Sequence, residues 1–107
     1  MRVESETKVR DFVNYPNPFT EQTTFMFNLS GAAAPDELVI RIYTVAGRKI
    51  REMKQSAGDL RIGFNSIQWD GRDEDGDRIA NGVYFYKVTT TANGRSESFL
   101  GKIAVLR

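Results

Sequence analysis

Five carboxylates, Asp70, Asp73, Glu74, Asp75 and Asp77, fall within eight residues, separated by Gly71 and Gly76. Hard cations such as calcium take oxygen ligands, which makes Asp73, Asp75 and Asp77 the candidates for a metal site. The spacing does not fit an EF-hand. With Gly76 at the sixth loop position, Gly71 stands where the first ligand must be Asp, and Gly82 where the twelfth must be Glu. The competing reading is a solvated turn, with Asp70 bonding nearby backbone N–H groups as an Asx-turn and Asp75-Gly76 forming a tight turn. The turn is the reading adopted, with no metal and no cofactor. Asp70 and Asp73 are also the nearest thing to an acid/base pair. The chain has no histidine and no cysteine, and no nucleophile stands beside a base. No catalytic residue is assigned, and the chain reads as a non-enzyme. Gly71, Gly76 and Gly82 do not make a phosphate loop, since no Gly-Lys-Ser/Thr occurs and no helix pattern follows.

Two other groups of residues have a functional and a structural reading. Tyr43, Tyr84, Phe85 and Tyr86 would stack sugars or bases if exposed, but alternating aromatics in a strand more often fill a core. The closing run Lys102-Ile103-Ala104-Val105-Leu106-Arg107 is either the last strand of a sheet or a basic tag read by strand addition. Net charge is +1, from 15 basic and 14 acidic residues, which lacks the clustered cationic excess of a nucleic-acid binder. No apolar run approaches the ~20 residues of a spanning helix, so no membrane insertion is expected. The opening residues lack the apolar segment of a signal peptide and read as an artificial start.

The elements that must position these groups read as strands. A chain of 107 residues suits one domain. Residues 1–7 are polar and expected to fray, and residues 8–107 form the domain. Lys8 to Tyr15 is the first predicted strand. Tyr15-Pro16-Asn17-Pro18-Phe19 follows as an extended connector whose two aromatic ends would plug into the core. Thr23 to Leu29 alternates, with Phe25, Phe27 and Leu29 on one face. Leu38 to Val45 is β-rich on both faces and reads as a central strand. Ala46-Gly47-Arg48 is a tight turn, with Gly47 supplying the positive φ. Arg48 to Lys54 returns as an exposed strand, Ile62 to Trp69 is the fifth, and Val83 to Thr91 the sixth. Asn93-Gly94 is a hairpin turn into a seventh strand, Arg95 to Leu106, with a kink expected at Gly101.

Seven short strands without a convincing helix indicate an all-β fold, an Ig-like β-sandwich of about seven antiparallel strands. Trp69 ends the fifth strand and Gly82-Val83-Tyr84 opens the sixth. Tyr84 thus occupies the tyrosine-corner position, and Tyr86 stands where an antibody domain has its second cysteine. Trp69, Asp70, Gly71, Gly82 and Tyr84 are read as the structural corner of a sandwich held by aromatic packing in place of a disulfide.

The order of motifs carries a resemblance over residues 15 to 107. Tyr15-Pro16-Asn17-Pro18-Phe19, Ile42-Tyr43-Thr44-Val45-Ala46-Gly47-Arg48, Trp69-Asp70-Gly71-Arg72-Asp73, Asn81-Gly82-Val83-Tyr84-Phe85-Tyr86 and a basic last strand resemble the C-terminal sorting domains of the type IX secretion system of Bacteroidetes. The Trp-Asp-Gly to Gly-Val-Tyr half also resembles the Ig-like domain of the flagellar hook-capping protein. Arg61-Ile62-Gly63-Phe64-Asn65, with Ile42 to Arg48, the acidic loop and Ala80 to Tyr84, looks most like the domain ending the sortase of the type IX system, a cysteine peptidase whose catalytic residues lie in another domain. The resemblance implies a non-catalytic domain that targets or docks its parent to the type IX translocon, to the outer-membrane shuttle barrel or to the sortase. It implies passage through the periplasm to the outer membrane, the cell surface or the medium, as a monomer or weak dimer. Gly47, Arg48, Lys102, Ile103, Ala104, Val105, Leu106 and Arg107 would be the recognition residues. The alternative is a structural Ig-like module of a hook-capping or adhesin-type protein.

Overall fold

The computed structural model of the protein describes residues 7–107. The expected frayed N-terminus lies outside the described residues except for Thr7, whose hydroxyl donates to the Ala33 carbonyl at 3.0 Å. Seven strands form: β1 (Lys8–Tyr15), β2 (Thr23–Ser30), β3 (Glu37–Tyr43), β4 (Lys49–Ser56), β5 (Gly63–Trp69), β6 (Gly82–Ala92) and β7 (Arg95–Val105). A 3-10 turn, Ala57–Asp59, follows β4. All strand pairs are antiparallel, in a three-stranded sheet ordered β1-β2-β5 and a four-stranded sheet ordered β4-β3-β6-β7. This is the expected Ig-like sandwich, in a variant arrangement. In a constant-type domain the fourth strand joins the sheet of the first, second and fifth; here β4 turns back on β3 through a tight hairpin.

The alternation in the sequence explains the core. Phe25, Phe27 and Leu29 of β2 and Leu38, Ile40 and Ile42 of β3 turn inward and are buried, facing one another across the sandwich with Trp69, Val88, Ile103 and Val105. Each large apolar side chain so buried contributes roughly 1.5–3 kcal/mol. Aromatic rings take the place of a disulfide. Phe12 stacks on Phe27 at 5.3 Å, meets Phe99 edge-on at 5.1 Å and lies 5.6 Å from Tyr86, while Tyr86 meets Phe25 edge-on at 5.3 Å.

Three local expectations are corrected. Only one end of the Tyr15–Phe19 connector enters the core: Phe19 is buried beside Trp69, whereas Tyr15 is exposed. Val45 does not continue the β3 face but sits exposed at the tip of the β3–β4 hairpin. There Gly47 N–H donates to Thr44 O, Thr44 N–H to Arg48 O and Arg48 N–H to the Thr44 hydroxyl oxygen, a three-residue loop closed by Gly47 at φ +93°. Third, β7 runs unbroken through Gly101. Glycine is required there because the cross-strand Tyr86 ring lies flat on it: a Cβ would stand 2.2 Å from Tyr86 Cζ.

Candidate functional site

The acidic loop between β5 and β6 is built as a turn. Trp69 is fully buried and its Nε1–H donates to Arg72 O at 3.0 Å. Asp70 Oδ1 accepts from Arg72 N–H at 3.1 Å, an Asx-turn, and from Arg51 Nη1 at 3.1 Å; the same Arg51 nitrogen donates to Arg72 O at 2.9 Å. Gly71, at φ +72°, lies so close to Phe19 that a Cβ would sit 2.9 Å from Cε2. Asp73 Oδ1 accepts from both Asp75 N–H and Asp77 N–H, at 3.0 and 2.9 Å, and Gly76 N–H donates back to Asp73 O. One carboxylate oxygen from each of Asp73, Asp75 and Asp77 lies within 4.8 Å of the others, so these three residues are the ones that would hold a cation. The hydrogen bonds they make are those of a self-contained turn. Across the loop, Tyr84 Oη donates to Ala80 O at 2.7 Å, the bond a tyrosine corner makes to upstream backbone, and Gly82 adopts φ +150°.

The loop also covers an edge. Glu74 N–H donates to Ile50 O and Glu74 Oε2 accepts from Glu52 N–H, at 2.9 and 2.8 Å, along the outer side of β4. At the opposite edge of the same sheet, the Pro-flanked connector does likewise for β7. Asn17 Nδ2 donates to Lys102 O and Asn17 Oδ1 accepts from Ala104 N–H; Phe19 N–H donates to Ala104 O and Phe19 O accepts from Leu106 N–H. The outward backbone groups from Lys102 O through Leu106 N–H are therefore already paired. A strand cannot be added there, which removes the strand-addition reading of the basic tail.

The eight recognition candidates share one end of the sandwich but not one environment. The register Tyr43↔Phe85↔Lys102 aligns the end of β3, the start of β6 and the end of β7, so the Gly47-Arg48 hairpin and residues 102–107 lie at the same end of the sheet. Ile103 and Val105 are core residues. Lys102 and Ala104 face outward, Leu106 is exposed, and Arg107 is tied back: its N–H donates to Asn81 Oδ1 at 3.0 Å and its Nη1 to Ile79 O. The Arg48 side chain makes no hydrogen bond or ion pair among the described residues.

The aromatic quartet splits between the two faces. Tyr84 and Tyr86 point inward with Ile103 and Gly101 as cross-strand partners, and burial pushes the Tyr86 hydroxyl up. Tyr43 and Phe85 pair on the outer face, half-buried, beside exposed Val83 and Leu100. Reading from the sequence missed this face, and it missed Asn17 and Glu74 as edge covers. A carboxamide side chain, both donor and acceptor, held between two prolines was the available signal for Asn17. On the same outer face Glu52 is held below the usual carboxylate range, first by the hydrogen bond from Lys49 at 2.9 Å and then by that from Arg41 at 3.0 Å. No helix among the described residues is long and apolar enough to cross a membrane.

The family described as the FlgD Ig-like domain matches residues 14–94, most of the sandwich. The chain belongs to that family. Two curated FlgD proteins, the basal-body rod modification proteins of Salmonella typhimurium and Salmonella typhi, are each 32% identical to it over 75 residues, 70% of this chain. The chain spans only 31% of their length. Among solved structures, dimeric latent PorU from Porphyromonas gingivalis superposes with a TM-score of 0.79 at 23% identity, over 95% of this chain and 10% of that one. PorZ, a surface component of the type IX secretion system of the same organism, gives 0.57 at 24% identity, over 90% and 11%. FlgD from Xanthomonas campestris, which caps the flagellar hook, gives 0.62 at 19% identity, over 94% and 70%. At these identities the structures share the fold. The FlgD Ig-like domain is non-catalytic.

Proposed function

We propose that this FlgD Ig-like domain is a non-catalytic module that targets or docks its parent protein to the type IX secretion translocon or its outer-membrane shuttle barrel, passing through the periplasm to the cell surface. The parent would be a secreted or surface protein, the type IX sortase being the candidate its motifs favour. The supporting observation is that the sandwich superposes on PorU better, at 0.79, than on the hook-capping FlgD, at 0.62, with nearly equal coverage of this chain. The Tyr15–Phe19 connector belongs to the motif order that resembles the sorting domains, and in this fold it seals the edge of β7.

The second reading is a structural module of a hook-capping protein. It is favoured by the 32% identity to the two Salmonella proteins. A fusion separates the two. The chain is attached to a periplasmic reporter in a type IX-competent bacterium, and the reporter is expected at the cell surface or in the medium. Retention in the periplasm, together with failure of the purified domain to bind the shuttle barrel, overturns the docking reading.

A further inference from the structure

The outer face of the four-stranded sheet has an uncommon make-up. Cross-strand register places three rows on it: Lys54, Val39, Thr89 and Ser98; then Glu52, Arg41, Lys87 and Leu100; then Lys49, Tyr43, Phe85 and Lys102. Glu37 and then Val83 with Ala104 continue the face toward its two ends. Its centre is apolar, with Tyr43 and Phe85 half-buried, Val83 50% exposed and Leu100 69% exposed. A Leu so exposed beside an aromatic pair forms an apolar centre ringed by polar groups, the arrangement of a contact surface.

The ring has a sign. Arg41, Lys49, Lys54, Lys87 and Lys102 stand against Glu37 and Glu52 alone. Glu52 takes up Arg41 and Lys49, and Glu37 lies 3.8 Å from Lys54. Lys87 and Lys102, on either side of the Phe85–Leu100 diagonal, have no ion pair among the described residues. The chain as a whole carries only +1, so the positive excess is concentrated on this face. Strand addition is closed off at the candidate end, because Glu74 covers β4 and Asn17 and Phe19 cover β7. Contact at that end has to be made through side chains.

Taking the docking reading above as its basis, we propose that the domain docks through this outer face, with Tyr43, Phe85, Val83 and Leu100 as the apolar centre and Lys87 and Lys102 as the charged rim. The partner is a protein surface that presents carboxylates around an aliphatic or aromatic patch. Desolvated apolar contact supplies most of the affinity, and the two lysines select the partner and speed its approach.

The probe is the purified shuttle barrel in nanodiscs of zwitterionic lipid, titrated with the ¹⁵N-labelled domain. Amide shifts are expected to change at Tyr43, Phe85, Lys87, Leu100 and Lys102. The pair Lys87→Glu with Lys102→Glu should weaken binding about tenfold or more, and raised salt should weaken the wild type in parallel. Lys87→Arg with Lys102→Arg should bind as the wild type does. Both positions face solvent, and thermal melts check that each variant is folded. If the wild type binds and the Glu pair binds equally well, the face is wrong while docking stands. If the wild type does not bind the barrel, the face proposal is overturned, while the docking reading stands or falls by the reporter fusion. If it binds barrel-free nanodiscs containing lipopolysaccharide as tightly, the partner is an anionic glycolipid and the protein-surface assignment is overturned.

Discussion

Replacing Gly101 by alanine tests the way this sandwich dispenses with a disulfide. The added methyl would stand 2.2, 2.3 and 2.7 Å from Cζ, Oη and Cε1 of Tyr86, so the ring must swing away. That ring packs 5.6 Å from Phe12 and 5.3 Å from Phe25. Overpacking of this kind costs ~1–3 kcal/mol, and each aromatic pair that is lost costs ~0.5–1.5 kcal/mol. Alanine in place of glycine within a strand returns only ~0.5–1 kcal/mol. The net loss is about 1–5 kcal/mol, centred on ~3 kcal/mol, a large share of the ~5–15 kcal/mol that holds a typical domain together. For a chain this long the midpoint of thermal unfolding should fall by roughly 10–20 °C. The assay is urea and thermal unfolding of four proteins: wild type, Gly101→Ala, Tyr86→Leu and the double variant. Leucine lacks all three clashing atoms, so in its background the alanine should be neutral or slightly stabilising, giving a coupling of about 2 kcal/mol or more. If Gly101→Ala costs the same in both backgrounds, the glycine answers a backbone need, and the account of Tyr86 lying on it is refuted.

Three further outcomes are expected. Tyr84→Phe removes the hydroxyl bonded to Ala80 O and should lower stability by ~0.5–1.5 kcal/mol in urea titrations without altering the fold. The Glu52 carboxyl should titrate below an ordinary glutamate in carbon-detected NMR, because the folded state favours its charged form; its share of stability is present above the unfolded value and disappears as pH falls through the lowered one, and Lys49→Ala should move the midpoint back up. Calcium or a chelator should leave the thermal midpoint unchanged, because Asp73 Oδ1 is occupied by two backbone N–H groups, whereas a rise of several degrees with calcium would show that the Asp73–Asp75–Asp77 cluster takes a cation.

The strands were legible because each carries its own period-two pattern, and a strand with one buried face has little freedom of register. Phe25, Phe27 and Leu29, and likewise Leu38, Ile40 and Ile42, announce their inward face without knowledge of any neighbour. What was not legible depends on partners far away in the chain. The hydrogen bonds that join Asn17 to Lys102 O and to Ala104 N–H span 85 and 87 residues, and no local pattern encodes them. Tyr86 shows the same effect from the other side. Its position suggested the second cysteine of an antibody domain, but its use of Gly101 as a flat seat appears only once the β6–β7 register is set.

The edge covers change how the basic tail can be interrogated. Residues 102–107 alternate between two duties, with Ile103 and Val105 in the core and Lys102, Ala104 and Leu106 directed outward or tied to the connector. Deleting the segment would remove core and surface together, and it would leave Asn17 and Phe19 without their partners. Loss of sorting after such a deletion would therefore report unfolding as readily as lost recognition. Reversing Lys102 alone leaves the core and the edge bonds in place, because only its backbone carbonyl serves Asn17. Arg48 offers the same clean separation at the hairpin, where its backbone N–H serves the turn and its guanidinium is free among the described residues. Recognition by this end of the sandwich is thus open to test at single side chains whose backbone does the structural work.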